Sequence, residues 1–152
     1  MIKSINAFII IAVILLTGLI FYTKFFRYTA DLPAFTYINL QTNLSYSDND
    51  IPKNKETVIA YVSVSCGTCE RTIQAIIKNL DAHKNYLIIA SEKNDRKAKK
   101  FFGKLIRDQR VVLLNDPNNS FPQDFKLGYS VVYPTVFIFD SENQRVSIFN
   151  NF

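Results

Sequence analysis

Two patterns of hydrophobic residues alternate along most of the chain. Continuous runs of apolar and β-branched residues are typical of buried strands. Such runs, with shorter β-rich stretches, predict strands at residues 35–40, 58–64, 86–90, 111–114, 133–140 and 144–149. Apolar residues at three- and four-residue spacing fill the intervals and predict helices from Cys66 to about Asp81, from about Asp95 to Arg107, and from Ser120 to Leu127.

This order of elements predicts an α/β fold, with a central mixed sheet and helices on both faces. A Ser-Glu-Asn turn joins the last two predicted strands into a hairpin, which supplies an antiparallel edge. Between Leu40 and Pro52 the chain is rich in Asn, Ser and Asp, and we expect a loop there. Residues 31–152 form the predicted domain, and residues 1–30 form a separate amino-terminal part.

The amino-terminal part contains a long apolar segment. Residues 5–22 carry no charge, and their number reaches the lower part of the range for a membrane-spanning helix. The residues from Thr23 to Tyr28 are bulky and basic and offer no small-x-small cleavage site. We therefore expect an uncleaved signal anchor with a short tether, with a cleaved signal peptide as the alternative. The expected location is the cell (inner) membrane, single-pass, with the domain outside the cytoplasm.

The net charge of +5 does not indicate a nucleic-acid partner. Lys3, Lys24 and Arg27 flank the apolar segment, so residues 31–152 carry 15 basic and 13 acidic side chains. A basic run does occupy one side of the second predicted helix. A solvated helix face is the favoured interpretation of this run, and contact with anionic lipid headgroups is the alternative.

The candidate chemistry lies where the strand at 58–64 meets the first helix. Cys66 and Cys69 form a Cys-x-x-Cys pair at this junction. The first N–H groups of a helix lack partners, and the helix dipole places about half a positive charge there, which favours a thiolate. Cys66 is therefore the expected nucleophile, and Cys69 is expected to resolve a mixed disulfide. The pattern predicts thiol–disulfide exchange through a redox-active Cys66–Cys69 disulfide, without another cofactor.

Other uses of two cysteines fit less well. A structural disulfide that closes so short a loop contributes only about 2 kcal/mol. A structural zinc site needs four ligands, and the chain offers these two cysteines and one histidine, His83. Covalent haem attachment needs a histidine directly after the second cysteine, where Glu70 stands. We expect no metal, and a structural or vestigial pair is the alternative to a redox-active one.

Three blocks of the sequence resemble one family. They are Leu32 to Phe35 with the strand after it, Val58 to Glu70, and Tyr133 to Asp140. In that order they resemble the amino-terminal extension, the active-site strand and turn, and the cis-proline strand of the thioredoxin-like fold. The resemblance is to the membrane-anchored thiol–disulfide oxidoreductases of the bacterial cell envelope, the redoxin group that includes the cytochrome c maturation thioredoxins.

The resemblance implies roles for residues around the cysteines. It implies a cis bond between Tyr133 and Pro134 opposite the first cysteine, with a trans proline as the alternative. Tyr133, Pro134 and Thr135 are then expected to position an extended substrate segment. Gly67 and Thr68, between the cysteines, are expected to tune the reduction potential.

Some positions depart from the family pattern. Ser65 stands where the family usually has Trp, and Ala60 stands where many thioredoxins carry a buried acid that accepts a proton from the second cysteine. Glu70, adjacent to that cysteine, is the candidate proton acceptor in its place. The sequence stops after the last predicted strand, so we expect the closing carboxy-terminal helix of thioredoxins to be missing.

The residues and the resemblance together predict an enzyme. We expect a membrane-tethered thiol–disulfide oxidoreductase, with the reduction of extracytoplasmic protein disulfides as the favoured direction. Its expected partners are protein disulfide or dithiol substrates and an upstream membrane electron donor that regenerates the pair.

Two alternatives remain open. A peroxiredoxin-like peroxide reductase shares the fold, but its Pro-x-x-x-Thr-x-x-Cys motif, aligned on Cys66, meets Ile59 and Ser63 instead of Pro and Thr. The other alternative is a non-enzymatic thioredoxin-fold binding module or a copper carrier. Copper carriers of this fold use a longer cysteine spacing and a suitably placed histidine, whereas His83 lies on a predicted helix-to-strand loop.

Overall fold

The structure is a computed structural model that describes residues 12–18, 31–128 and 131–149. Residues 12–18 are helical and exposed. They belong to the expected membrane anchor at residues 5–22, and the rest of that anchor and its tether lie outside the described residues. Among the helices of these three ranges, none has the length and apolar character that a membrane crossing requires.

Seven strands of the described residues form one mixed sheet. They are β1 (Thr36–Asn39), β2 (Ser45–Ser47), β3 (Glu56–Ser63), β4 (Lys84–Ser91), β5 (Val112–Asn115), β6 (Thr135–Phe139) and β7 (Arg145–Phe149). Their order across the sheet is β2-β1-β5-β4-β3-β6-β7. β3, β4 and β5 are parallel, whereas β6 runs antiparallel to β3 and β7 runs antiparallel to β6. The predicted mixed sheet with an antiparallel edge is confirmed.

β3 and β4 occupy the middle of the sheet because their side chains are apolar on both faces. Residues Ile59 to Val62 and Leu87 to Ala90 are at most 1% exposed, as expected for parallel strands covered on both sides. The parallel register pairs Val62 with Ala90. The carboxyl ends of both strands therefore lie at the same edge of the sheet, and the segments that follow them start there.

The described part of the domain contains three α-helices. They are α1 (Gly67–Lys78), α2 (Asp95–Phe102) and α3 (Phe121–Asp124). Cys66 caps α1, and its sulfur accepts a hydrogen bond from the backbone N–H of Cys69. Asn94 caps α2, and its side chain accepts a hydrogen bond from the backbone N–H of Arg96. Polar caps at both starts satisfy N–H groups that would otherwise lack partners.

The second helix is shorter than the sequence pattern predicts. α2 ends at Phe102, and Gly103–Arg107 continues as a 3₁₀ helix. Gly103 has a φ of +52° and a ψ of −121°, a backbone conformation that glycine adopts readily and that interrupts the α-helix. The apolar spacing continues past this glycine, so the pattern alone extended the helix to Arg107.

The stretch between Leu40 and Pro52 is more ordered than the expected loop. It contains β2, which pairs antiparallel with β1, and a 3₁₀ turn at Asp48–Asp50. The side chain of Asp50 accepts a hydrogen bond of 2.7 Å from the backbone N–H of Ser47. The strand is short and polar, so no hydrophobic alternation marked it.

The sheet separates two hydrophobic cores. The core under α1 and α2 is mostly aliphatic and includes Cys69, and we call this side the cysteine face. The core on the other side, which includes residues of α3, contains seven buried aromatic side chains, and we call it the aromatic face. These side chains are Phe35, Tyr37, Tyr61, Phe121, Phe125, Phe137 and Phe139. β7 is the last described element, so the expected absence of a closing helix stays a prediction.

Candidate active site

The turn between β3 and α1 places Cys66 at the edge of the sheet. The backbone N–H of Cys66 donates to the carbonyl of Ser63 over 3.1 Å, which closes a tight turn after the strand. The backbone N–H of Cys69 approaches both the carbonyl of Cys66, at 3.1 Å, and its sulfur, at 3.3 Å. A helix-start N–H group therefore points at the Cys66 sulfur, in the position that favours a thiolate.

The two cysteines lie in different surroundings. Cys66 is half-buried, whereas Cys69 is 0% exposed and packs in the aliphatic core of the cysteine face. Both are free thiols in this structure. A reagent or a substrate sulfur can therefore reach Cys66, while Cys69 is shielded.

The pKa values of the two cysteines also differ, and the more exposed cysteine is the more acidic one. Partial burial raises the pKa of Cys66, but hydrogen bonds from Cys69 and Thr68 outweigh this effect and hold that pKa below its ordinary value. Burial, together with the hydrogen bond to Cys66, raises the pKa of Cys69 to about 12. The reduced pair therefore loses its first proton from Cys66, while Cys69 keeps its own proton.

The predicted substrate-positioning residues lie beside the first cysteine. The Tyr133–Pro134 bond is cis, as the resemblance implies. The carbonyl oxygen of Tyr133 lies 3.7 Å from the Cys66 sulfur. Thr135 is buried, its hydroxyl donates to the carbonyl of Val132 at 2.5 Å, and its backbone pairs with β3. The structure therefore places the Tyr133 carbonyl beside Cys66, with Pro134 and Thr135 next to it in the chain.

The two residues between the cysteines contribute differently. The hydroxyl oxygen of Thr68 lies 3.8 Å from the Cys66 sulfur, close enough to interact with the thiolate. Gly67 starts α1, and a Cβ added there would meet open space. Thr68 therefore has a direct contact through which to tune the potential, whereas the tuning role of Gly67 stays a prediction.

Glu70, the candidate proton acceptor, lies on the outside of α1. Its side chain is exposed, whereas Cys69 is fully buried. Within the described ranges, no hydrogen bond joins the two side chains. Ala60 is buried in the same core as Cys69, so the structure places no carboxylate at this position. The role of Glu70 stays a prediction.

A hydrogen-bonded tyrosine under the proline segment was missed by sequence reasoning. The ring of Tyr61 lies 5.3 Å from that of Tyr133, and its hydroxyl donates to Asn119 at 2.8 Å. Asn119 also accepts a hydrogen bond from Ser91 at 3.0 Å. This network links the loop after β5 to the segment that faces Cys66. A tyrosine within an apolar strand reads simply as a core residue, so the sequence carried no signal for it.

The described residues hold no group of three His, Cys, Asp or Glu side chains that could bind a metal ion. What the fold and the site define is a thioredoxin-like protein: a mixed sheet, a Cys-x-x-Cys pair at a helix start, and a cis proline beside the first cysteine. The chain belongs to the Redoxin family, whose sequence model matches residues 29–150.

Solved structures share this fold. A putative thiol:disulfide interchange protein DsbE from Chlorobium tepidum is 16% identical with a TM-score of 0.65, over 82% of this chain and 86% of that chain. An uncharacterized conserved protein from Geobacillus kaustophilus is 15% identical with a TM-score of 0.64, over 78% of this chain and 66% of that chain. A secreted disulfide oxidoreductase from Mycobacterium tuberculosis, homologous to E. coli DsbE, is 16% identical with a TM-score of 0.60, over 77% and 83%. No curated protein matches the chain significantly.

Proposed function

We propose that this protein is a thiol–disulfide oxidoreductase that reduces protein disulfides through Cys66 and Cys69. The observation that carries the proposal is the contrast between the two sulfurs. Cys66 is reachable and has a lowered pKa, while Cys69 is buried and has a raised pKa. Nucleophilic attack needs an accessible thiolate. Resolution of the mixed disulfide needs a second thiol that does not itself react with the substrate first.

The reaction proceeds in two exchange steps. The Cys66 thiolate attacks one sulfur of a substrate disulfide, forms a mixed disulfide, and releases the other substrate sulfur as a thiolate that takes a proton from water. Cys69 then loses its proton to water and attacks the Cys66 sulfur, which forms the Cys66–Cys69 disulfide and releases the second substrate sulfur as a thiolate. Two electrons pass from the pair to the substrate.

The mixed disulfide itself prepares the second step. The hydrogen bond to Cys66 and the charge of Cys66 both contribute to the raised pKa of Cys69. When the Cys66 sulfur is covalently bound to substrate, it no longer carries that charge. Only burial then holds the Cys69 proton, so Cys69 ionises more readily at the stage when its thiolate is needed.

The segment at Tyr133 supplies a binding edge for a protein substrate. The carbonyl oxygen of Tyr133 lies 3.7 Å from the Cys66 sulfur. Pro134 has no N–H group that would pair with a neighbouring strand. An extended substrate segment that bonds to the Tyr133 backbone would place its disulfide beside Cys66. Protein disulfides in extended segments are therefore the proposed substrate class.

The anchor at residues 5–22 completes the proposal. An uncharged apolar segment of this length supports tethering to the cell membrane with the domain outside the cytoplasm, where protein disulfides occur. A membrane electron donor then regenerates the reduced pair. The resemblance to cytochrome c maturation thioredoxins, together with fold neighbours named as DsbE-like or secreted, supports this placement.

Trapping of the mixed disulfide tests the proposed function. The Cys69→Ser variant cannot resolve the intermediate, so it should accumulate a disulfide with a model protein substrate such as oxidised insulin, visible as a shift on non-reducing gels. The Cys66→Ser variant is the matched control and should trap nothing. Trapping through Cys69 instead, or no trapping by either variant, would overturn the proposal. Peroxide consumption with oxidation of Cys66 to sulfenic acid would favour the peroxide-reductase alternative.

A further inference from the structure

Charge is unevenly distributed over the domain. Residues 93–107, which include α2 and the 3₁₀ helix after it, carry seven basic side chains and one carboxylate. The rest of residues 31–149 carries eight basic and twelve acidic side chains. The modest net charge of the domain therefore hides a strongly positive segment on an otherwise negative surface.

Six of these basic side chains are exposed and form what we call the basic face: Lys93, Arg96, Lys97, Lys100, Lys104 and Arg107. The salt bridges among the described residues join Lys84 to Glu56 and Arg110 to Asp108, both outside this face. The one carboxylate of the segment, Asp95, accepts a hydrogen bond of 2.7 Å from Asn115. A surface that serves only solubility usually mixes both signs of charge, so the unpaired basic face indicates a partner.

An apolar groove runs along the basic face. It has a volume of about 380 Å³ and lies between α1 and the end of α2. Its floor is apolar, and one acidic and one basic side chain stand at its rim. The lining residues are Glu70, Ile73, Gln74, Ile77, Phe101, Phe102, Lys104 and Leu105. Because Glu70 directly follows Cys69 in α1, the groove begins next to the redox pair.

The start of the basic face and the cysteines share one edge of the sheet. α1 starts after β3 and α2 starts after β4, and these strands are parallel and in register. The chain enters the domain at the opposite edge, where Asp31 bridges to Gln144 beside the turn between β6 and β7. A protein that approaches Cys66 comes to the other edge instead, and there it meets the start of the basic face and the adjoining end of the groove. This continuity with the redox pair favours a protein partner for the basic face.

We propose that the basic face and the groove form a docking surface for an acidic redox partner protein. This inference rests on the proposed function and names the class of its partner. Carboxylates that flank the partner's disulfide would pair with Lys97, Lys100 and Lys104, and one apolar side chain would enter the groove. Complementary charge of this kind mainly raises the association rate and the selectivity between partners.

The test compares three synthetic peptides that contain the same intramolecular disulfide and one leucine but carry flanking Asp/Glu, Gly/Ser or Lys residues. The reduced full-length protein in a neutral detergent should reduce the acidic peptide about tenfold faster than the neutral one at low salt. The preference should shrink as salt rises from about 0.01 M to about 0.15 M.

Charge-reversal variants distinguish an effect of the docking surface from an effect of the net charge of the protein. The variant Lys97→Glu/Lys100→Glu/Lys104→Glu should lose the preference for the acidic peptide. The matched control, Lys53→Glu/Lys55→Glu/Lys126→Glu, changes the net charge equally at exposed positions outside the basic face and should keep it. Equal losses in the two variants would show a net-charge effect and overturn the inference.

The peptide series also separates failure of the inference from failure of the proposed function. If the wild-type protein reduces no peptide at all, the proposed function fails. If it reduces all three at similar rates, exchange stands and the docking surface is wrong. Protection of the basic-face lysines from acetylation by anionic but not neutral lipid nanodiscs, without any peptide preference, would assign the face to lipid and overturn the inference.

Discussion

The two faces of the sheet each cover a hydrophobic core but are built differently. The aromatic face stacks rings closely, with the Phe121 ring centroid 4.0 Å from that of Tyr61 and 3.9 Å from that of Phe125. The cysteine face is mostly aliphatic, and its surface is interrupted by the groove and by the half-buried Cys66. Ring stacking contributes beyond area burial, so we assign stability chiefly to the aromatic face and chemistry to the cysteine face.

Polar groups sharpen this difference. On the aromatic face, buried Asp116 accepts hydrogen bonds from the backbone N–H groups of Ser120, at 3.0 Å, and Phe121, at 2.8 Å. Tyr37 donates to Asp124 over 2.9 Å. On the cysteine face, the polar group that matters is a sulfur with a lowered pKa and an open side. We therefore expect substitutions on the cysteine face to change exchange activity and substitutions on the aromatic face to change folding stability.

Replacement of the nucleophile should abolish exchange without loss of stability. In Cys66→Ser the serine hydroxyl is a good helix cap and can accept the same N–H of Cys69, so the free energy of unfolding should change by less than about 1 kcal/mol. Insulin reduction should fall to background. Urea unfolding followed by circular dichroism, beside the turnover assay, checks both values, and a destabilised variant would contradict the division.

Truncation of a side chain on the aromatic face should lower the stability of the fold and leave exchange intact. Phe121 is 0% exposed and stacks on two rings, so Phe121→Ala should lower the free energy of unfolding by about 3–5 kcal/mol. Exchange per folded molecule should stay close to that of the wild type. Phe121→Leu, which keeps more of the volume, is the milder companion variant. A loss of exchange in a variant that is still fully folded would show that the two faces are coupled.

Alkaline pH should lower the free energy of unfolding through groups on both faces of the sheet, and the groups of each face should act in their own pH range. Burial raises the pKa of Cys69 to about 12 and raises the pKa of Tyr37 and Tyr61 above their usual range. The unfolded chain releases these protons at about pH 8.5 for Cys and about 10 for Tyr, whereas the folded protein retains them. The free energy of unfolding of the reduced protein should therefore fall as pH rises above about 8.5, and faster above about 10.

Two variants distinguish the contribution of the cysteine to this pH dependence from that of the tyrosines. Cys69→Ala should remove the part of the loss that begins at the lower pH, and Tyr37→Phe should reduce the part that begins at the higher pH. The lowered pKa of Cys66 acts in the opposite direction but only below the ordinary cysteine value. Urea midpoints at several pH values measure each effect. A pH profile that neither variant alters would contradict the assignment.

The smallest expected effect concerns the hydroxyl beside the nucleophile. Thr68→Val removes an oxygen that lies 3.8 Å from the Cys66 sulfur, so the pKa of Cys66 should rise. At neutral pH the rate of iodoacetamide alkylation should fall by about fivefold or less, since one hydrogen bond is worth about 1 kcal/mol. Thr68→Ser keeps the hydroxyl and should stay near the wild-type rate. Equal rates in all three proteins would remove Thr68 from the tuning of the pair.

The central strands and the active-site turn were predictable from sequence because their signals are local and strong. β3 has an unbroken run of buried residues from Thr57 to Val62, and Cys66 follows the strand after two residues, at a helix start. The cis bond at Pro134 was predictable only through the family resemblance, since a proline before a strand fits both isomers. The family match and the fold neighbours agree with that resemblance.

Long-range contacts were beyond the reach of sequence patterns. The Tyr61 hydroxyl meets Asn119 across 58 positions of the chain, and no periodicity reports such a contact. β2 owes its order to pairing with β1 rather than to its own polar sequence. The groove depends on where Gly103 ends α2, and the helical spacing of apolar residues conceals that end.

The most direct test of the central claim is a redox titration of the Cys66–Cys69 pair in the full-length protein. The protein is equilibrated with glutathione or dithiothreitol buffers, and free thiols are trapped and counted. We expect one reversible two-electron transition in which both cysteines change together, at about −270 mV or below for a reductase. A reversible transition near about −120 mV would reverse the proposed direction. Cysteines that oxidise independently, or a pair that never cycles, would contradict thiol–disulfide exchange itself.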